Sequence, residues 1–447
     1  MIRSLLVFLA IFAISTLTSS AQTYSLLGAG CNNKVYSVVS GNPGSNTIFA
    51  GGAFLNAGGS PVNYIAEWDG STWTDLDGGA NFEVRSMLYD NNELFVGGGF
   101  NMVGSSSTVA WGVAKWDGNS WSALGNGIRS GEIYSLINYN NSLYAGGRFD
   151  TLSGFNPGRG IMKWDGNAWT TLGGAPGDGV GGPPGFKVKA LHVFNGELYV
   201  GGSFNTAGGI SVSNIAKWDG TTWSAVGAGT NGEVNSFTTY NNELFVGGDF
   251  TMAGGVAVNG LAKIIGSTYS DVGGGFNGVV NDLNVYMGSL YATGAFSNAG
   301  GSAAQNIARW NGAAWGQVGL GLNFDGYALT VYDGDMYIGG FFSVAGTVFA
   351  NNIVKYNIPV GLNENIQTFA FGPNPSKGIV NVTSVMEMNK TTVYVTDLSG
   401  RLVYEQDINE ILPNENLSFD LTFLQPGLYN ISFKNQDAVQ SFKMFID

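Results

Sequence analysis

Cysteine and histidine are almost missing from this chain: its 447 residues include one of each, Cys31 and His192. A lone cysteine cannot close an internal disulfide, so stability must come from packing. With one histidine as well, Ser-His-Asp triads, Cys-His pairs and histidine-rich metal sites lack material. Charge is also scarce. Only 11% of residues are charged and the net charge is −13, a surface that repels phosphate backbones and anionic bilayers. Nucleic acid is therefore not an expected partner. No EF-hand loop and no glycine-rich phosphate loop opening a helix occurs, so no metal or cofactor is expected. The apolar run from Leu5 to Leu17 falls short of the roughly 20 residues that a bilayer span needs. It follows one Arg and precedes small residues ending at Ala21, so residues 1–21 read as a cleaved secretory signal rather than an anchor. The mature chain, from Gln22, is expected to carry no transmembrane anchor.

Glycine, by contrast, is abundant. There are 70, with 44% hydrophobic and 13% aromatic residues and no Gly-X-Y period, which excludes collagen and argues against disorder. One phrase recurs: IAEWDGSTW (65–73), VAKWDGNSW (113–121), IMKWDGNAW (161–169), IAKWDGTTW (215–223) and IARWNGAAW (307–315). A second element, Gly-Gly-x-Phe or a close variant, ends at Phe54, Phe100, Phe149, Phe204, Phe250, Phe296 and Phe342, in steps of 46, 49, 55, 46, 46 and 46 residues. That makes seven copies of one supersecondary unit. Each predicts four short strands, with Asn-Asn and Asp-Gly at the tight hairpins. The strands are apolar on both faces, so each small sheet must be covered on both sides. An all-β, seven-bladed β-propeller over residues 22–357 is the expectation. Tyr24-Ser-Leu-Leu-Gly matches Trp223-Ser-Ala-Val-Gly, whereas the last unit stops at Tyr356. The N-terminal strand is thus expected to complete the seventh blade and close the ring. Both tryptophans of the phrase read as packing residues; a ring of sugar-stacking tryptophans is the alternative.

The Gly-Gly after the second strand, the aromatic-Asp on the third and the Trp on the fourth resemble the kelch repeat across residues 24–357. Kelch-type propellers serve as binding modules and less often as enzymes, so the resemblance implies the fold and no single chemistry. After a linker at 358–368 the pattern changes to period-two alternation with turn signals, which predicts a small Ig-like β-sandwich over 369–447. Pro373-Asn374-Pro375, Gly378, the turn from Asp397 through Gly400 to Arg401, and the stretch reaching Gly427 and Tyr429 are similar to the type A C-terminal sorting domain of the Bacteroidetes type IX secretion system. The resemblance implies export through the periplasm, the type IX secretion machinery as partner, and a secreted or surface location. The family's usual basic end is replaced here by Lys443 and a terminal MFID.

Candidate site residues are departures from the repeat. At the position between Gly-Gly and Phe, Arg148 and Asp249 are the polar exceptions. On the first strands Asp282 stands where the other units carry Ser or Ala. Trp111 is an extra aromatic in its loop, and an insertion adds residues near Asp178. His192 occupies a strand position filled elsewhere by Ile137 and Thr238 and reads as a packing residue. Long loops and inter-blade links share one rim, where shape can vary without damaging the blades, so ligands are expected there, over blades 2 to 5. The leading expectation is a non-enzymatic module binding an extracellular glycan or protein. The competing ones are a polysaccharide-acting enzyme using Asp249 and Asp282, whose separation would decide the geometry, and a purely structural protein.

Overall fold

A computed structural model describes residues 23–151, 156–173, 178–358, 369–372, 376–384, 388–397, 401–411, 415–434 and 439–447. The signal segment, Pro373–Pro375 and Gly400 lie outside them. The described residues form strands and turns with no helix, in two compact units that part after Ile358.

Residues 23–358 form seven four-stranded antiparallel sheets, beside short two- and three-stranded pairings in the loops. Their first strands are Val35–Ser40, Val84–Asp90, Glu132–Tyr139, Lys187–Phe194, Glu233–Tyr240, Val279–Tyr286 and Gly326–Tyr332, and the sheets are numbered one to seven in that order. In sheets one to six the four strands lie side by side in chain order. Sheet seven draws its fourth strand from the other end of the chain: Thr23–Leu26 pairs with Ile353–Asn357, Tyr24 opposite Tyr356. Asn91-Asn92, Asn140-Asn141 and Asn241-Asn242 turn the first hairpins with both φ positive, a conformation asparagine tolerates better than other non-glycine residues.

The paired glycines explain how the sheets stack. A Cβ on Gly51 would meet Val84 Cγ1 of the next sheet at 2.6 Å, and the same holds for Gly97 with Ile133, Gly146 with Val188, Gly201 with Val234, and Gly247 with Val280. A bare backbone is needed for the next first strand to pack against it. Between sheets six and seven the sizes are exchanged: Thr293 takes the glycine position and Gly326 the valine position, with a Cβ on Gly326 running into Thr293 Oγ1. Gly339 of sheet seven packs on Val35 of sheet one, where a Cβ would lie 2.7 Å from Val35 Cγ1.

Aromatic hydroxyls and indoles tie the same neighbours. Tyr139 donates to Gly196 O, Tyr286 to Gly334 O and Tyr332 to Asn42 O, each in the first hairpin of the following sheet. The second tryptophan of the recurring phrase is buried and donates its indole N–H to the preceding unit: Trp73 to Leu27 O, Trp121 to Leu76 O, Trp169 to Leu124 O and Trp315 to Val272 O, at 2.7–3.0 Å. Tyr269 and Tyr24 make the equivalent bond with their hydroxyls, to Val226 O and Val318 O. Trp223 is the exception. Its Nε1 is buried without a partner among the described residues; the corresponding position in the preceding unit is Leu172, just ahead of the insertion. His192 bonds Thr239 through Nε2 and stacks on Phe237, and burial lowers its pKa. Cys31 is buried.

The second unit packs a three-stranded sheet (Phe369–Gly372, Ile379–Ser384, Asn416–Asp420) and a four-stranded one (Met388–Asp397, Leu402–Ile411, Gly427–Lys434, Val439–Ile446) around a shared core that includes Val382, Val395, Phe419, Ile431 and Phe433. Gly378, at φ +91°, lies so close to Thr422 that a Cβ would sit 2.6 Å from its Cα. Arg401 closes its turn by bonding Asp397 through both N–H and Nε. Tyr429 donates to Gln425 O.

Candidate functional site

Every first strand carries a β-bulge one or two residues in from its start. The register slips between Val35 and Ser37, Val84 and Ser86, Ile133 and Ser135, Val188 and Ala190, Val234 and Ser236, Val280 and Asp282, and Gly326 and Ala328. A bulge re-aims the side chain of its extra residue. Those extra residues are Tyr36, Arg85, Tyr134, Lys189, Asn235, Asn281 and Tyr327, all half-buried. They touch from sheet to sheet. Tyr327 and Tyr36 have ring centroids 5.6 Å apart, and the Arg85 guanidinium lies over Tyr36 at 4.7 Å and over Tyr134 at 5.6 Å. Lys189 bonds Asn235 Oδ1 at 3.2 Å, and Asn235 and Asn281 each donate to a carbonyl of the next sheet. Just before the bulges stand Glu83, Glu132, Lys187 and Glu233. Arg85 bridges Glu83 and Glu132, and Glu233 takes both Lys187 and Lys189. Burial pushes the Glu233 carboxyl up, but the two ammonium groups outweigh it and hold the pKa below the ordinary value. Burial and the bond donated to Glu132 raise Tyr134 to about 12. These tyrosines stay neutral donors at any physiological pH.

A second repeating device shows where this frame is broken. The side-chain Oδ1 atoms of Asn32, Asn81, Asn231, Asn277 and Asn323 each accept two backbone N–H groups from the long loop about twenty residues on, as Asn81 does from Asn101 and Met102. Unit three has Arg129 at this position and unit four Gly181, so both lack the clip. Asn156 instead bonds the backbone of Arg129 in both directions. Beside the break opens a cavity of about 450 Å³, lined by Gly99, Ser130, Glu132, Arg148, Asp150 and Phe186 among others. Gly99 forms part of the wall, and a Cβ there would press on Phe82 at 3.0 Å. Three arginines belong to this unit: Arg148, in the cavity wall, meets Glu132 at 3.4 Å, Arg129 lies over Trp111 at 5.1 Å, and Arg159 over Phe186 at 4.9 Å. The Arg148 side chain is 54% exposed, the most open member of that group of ion pairs.

Of the residues singled out from sequence, Arg148 lines this cavity; Trp111 does not, and its ring carries the Arg129 guanidinium. Asp178 belongs to the insertion that also delivers Phe186, and its carbonyl accepts from Arg159 N–H. Asp249 is exposed at the end of its strand, opposite Glu233 and away from the cavity. Asp282 lies in sheet six and is a bridge: Oδ1 accepts from Ser236 Oγ in sheet five and from Leu283 N–H, and Oδ2 from Leu329 N–H in sheet seven. Burial outweighs these donors and raises its pKa to about 6. The bulge residues and the asparagine clips escaped the sequence reading. The visible signal for the clips was an Asn preceding each first strand in five units and absent from two.

Residues 371–447 match the family model described as the secretion system C-terminal sorting domain. The chain carries a type IX sorting tail and is exported, to the cell surface or beyond it; among the described residues no helix is long and apolar enough to cross a membrane. No curated protein matches the chain in sequence. Among solved structures it is similar to a GH74 xyloglucanase from Xanthomonas campestris at 13% identity, over 81% of this chain and 65% of that one, with a TM-score of 0.43. It is also similar to YjhT (13% identity, 74% of this chain, 99% of that one, TM-score 0.36). A third is the Bacteroides ovatus xyloglucan PUL GH43B (10% identity, 94% of this chain, 91% of that one, TM-score 0.26).

Proposed function

We propose that the exported chain is a closed, seven-bladed, kelch-like β-propeller that binds an acidic extracellular glycan at its long-loop rim, and that residues 22–357 act as the binding module. Closure is supported by the pairing of Thr23–Leu26 with the last strand and by the Gly339–Val35 packing between sheets seven and one. The observation carrying the binding reading is the exposed Arg148 guanidinium beside the cavity where the loop clip is lost. Arginine presents a planar fork that matches a carboxylate, and Phe186 adds an aromatic ring to the cavity wall. In a protein of net charge −13, Arg85, Arg129, Arg148, Arg159, Lys187 and Lys189 fall within units two to four. Both Asp282 oxygens are engaged across three sheets, which favours binding over carboxylate-pair hydrolysis.

Calorimetric titration with an oligogalacturonate tests the reading. Saturable binding is expected, weakened about tenfold or more in Arg148→Ala, as loss of a charge-assisted contact of ~1.5–3 kcal/mol implies. The chain length of the recovered sugar should be unchanged. Equal binding by the variant would remove the site, and shortened sugar would make the protein an enzyme.

A further inference from the structure

On the opposite, hairpin rim a second and larger cavity, about 840 Å³, opens between sheets two and three. Its origin is legible in the repeat. The residue that closes the first hairpin, opposite the first residue of the second strand, is Tyr139, Tyr240, Tyr286 and Tyr332 in units three, five, six and seven. Unit four has Phe194 there and unit one Ser40, but unit two has Asp90, opposite Glu93. The tyrosines reach toward the Asp-Gly or Asn-Gly hairpin of the next sheet: a Cβ on Gly220 would lie 3.8 Å from Tyr139 Oη, and one on Gly312 4.0 Å from Tyr240 Oη. Gly166, the corresponding glycine facing Asp90, has nothing within 4 Å, and neither have Gly118 and Gly266, which face Ser40 and Phe194 in the other two units without the tyrosine. One aromatic ring has been exchanged for a short carboxylate and the space stays open.

We propose that this groove is a second ligand site, separate from the long-loop rim, and that it takes a neutral oligosaccharide. Half-buried Trp164 supplies an apolar face. Asp90 is fixed by amide donors from Asn138 and Asn91, which orients its carboxylate. Asp165 is poised in another way. All four hairpin aspartates accept two backbone N–H groups through Oδ1, but in Asp69, Asp117 and Asp219 the Oδ2 atom also accepts a hydroxyl, from Thr72, Ser120 and Thr222. Ala168 stands at that place in unit three, so Asp165 Oδ2 has no such hydroxyl and is left for one from a ligand. The two backbone bonds hold the Asp165 pKa below the ordinary value, so it remains an acceptor in mild acid. Asn140 and Asn141 add amide donors and acceptors. Acceptors, amides and one indole face suit hydroxyl groups on a ring. Lys115 is already paired with Glu93 at 2.7 Å, which leaves no cation for an acidic sugar. The volume falls within the ~300–1,000 Å³ of small-ligand sites.

The test is titration of the full mature chain with cellotetraose, mannotetraose and laminaritetraose, followed by intrinsic tryptophan fluorescence. Asp90→Tyr restores the residue that four other units carry, and Asp165→Asn copies Asn311, which makes the same turn in unit six. Both variants are therefore expected to fold. At least one sugar should bind the wild type with Kd on the order of 1 mM or tighter, and both variants should weaken it at least tenfold. Arg148→Ala should leave this binding unchanged, which separates the groove from the rim site. Absence of binding by all three sugars, or wild-type affinity in both variants, would overturn the proposal. So would saturable binding of tetralysine with none of the sugars bound.

Discussion

At the residue scale, side chains that look like recognition elements are mostly ties between sheets. The indole of Trp121 donates to Leu76 O, while that of Trp223 has no partner. Trp121→Phe should therefore cost about 1 kcal/mol more than Trp223→Phe in urea denaturation, the lost hydrogen bond being the difference between otherwise similar truncations. Equal costs would show that the bonds between units carry nothing. Asp282 gives a prediction with a definite sign. Its folded pKa of about 6 lies above the ordinary 3.8, so its contribution is fully present below about pH 4 and is lost as pH rises through 6. That gap corresponds to roughly 3 kcal/mol at neutral pH. Wild-type stability should fall across this window relative to Asp282→Asn, measured by urea titration at both ends; parallel profiles would contradict it.

At the scale of elements, the strands, the asparagine hairpins and the fourth-strand role of Thr23–Leu26 follow from the repeat because alternation and turn chemistry are local. The site did not follow as readily. A bulge breaks the period of two, so Arg85 and Tyr134 read from sequence as ordinary strand residues. The clip asparagines look like turn residues, since nothing local reveals that Asn231 holds Thr251 and Met252. Arg148 was legible because it interrupts a series of small residues. Asp282 was legible as an anomaly, but its role depends on donors from two other sheets. Asn231→Ala should speed hydrogen exchange in the loop after Phe250, leave sheets one to three unchanged, and cost about 1 kcal/mol. Uniform protection across the variant would mean that the clip does not order the loop.

At the scale of the molecule, the same contact recurs from each sheet to the next: a small residue on the second strand receives a branched one on the following first strand. Thr293 and Gly326 invert the sizes and preserve the fit, which identifies the contact as complementary packing rather than glycine-rich drift. If the chain is a ring, Gly339 and Val35 must obey the same rule although they lie at opposite ends of the repeat array. A double-mutant cycle on that pair tests closure most directly. Gly339→Thr alone should destabilise by about 1–3 kcal/mol through overpacking, and Val35→Gly should relieve it, copying the Thr293–Gly326 exchange. The account predicts a coupling energy between about 0.5 and 3 kcal/mol. Effects that simply add would contradict it, because residues of an open array do not meet across its ends.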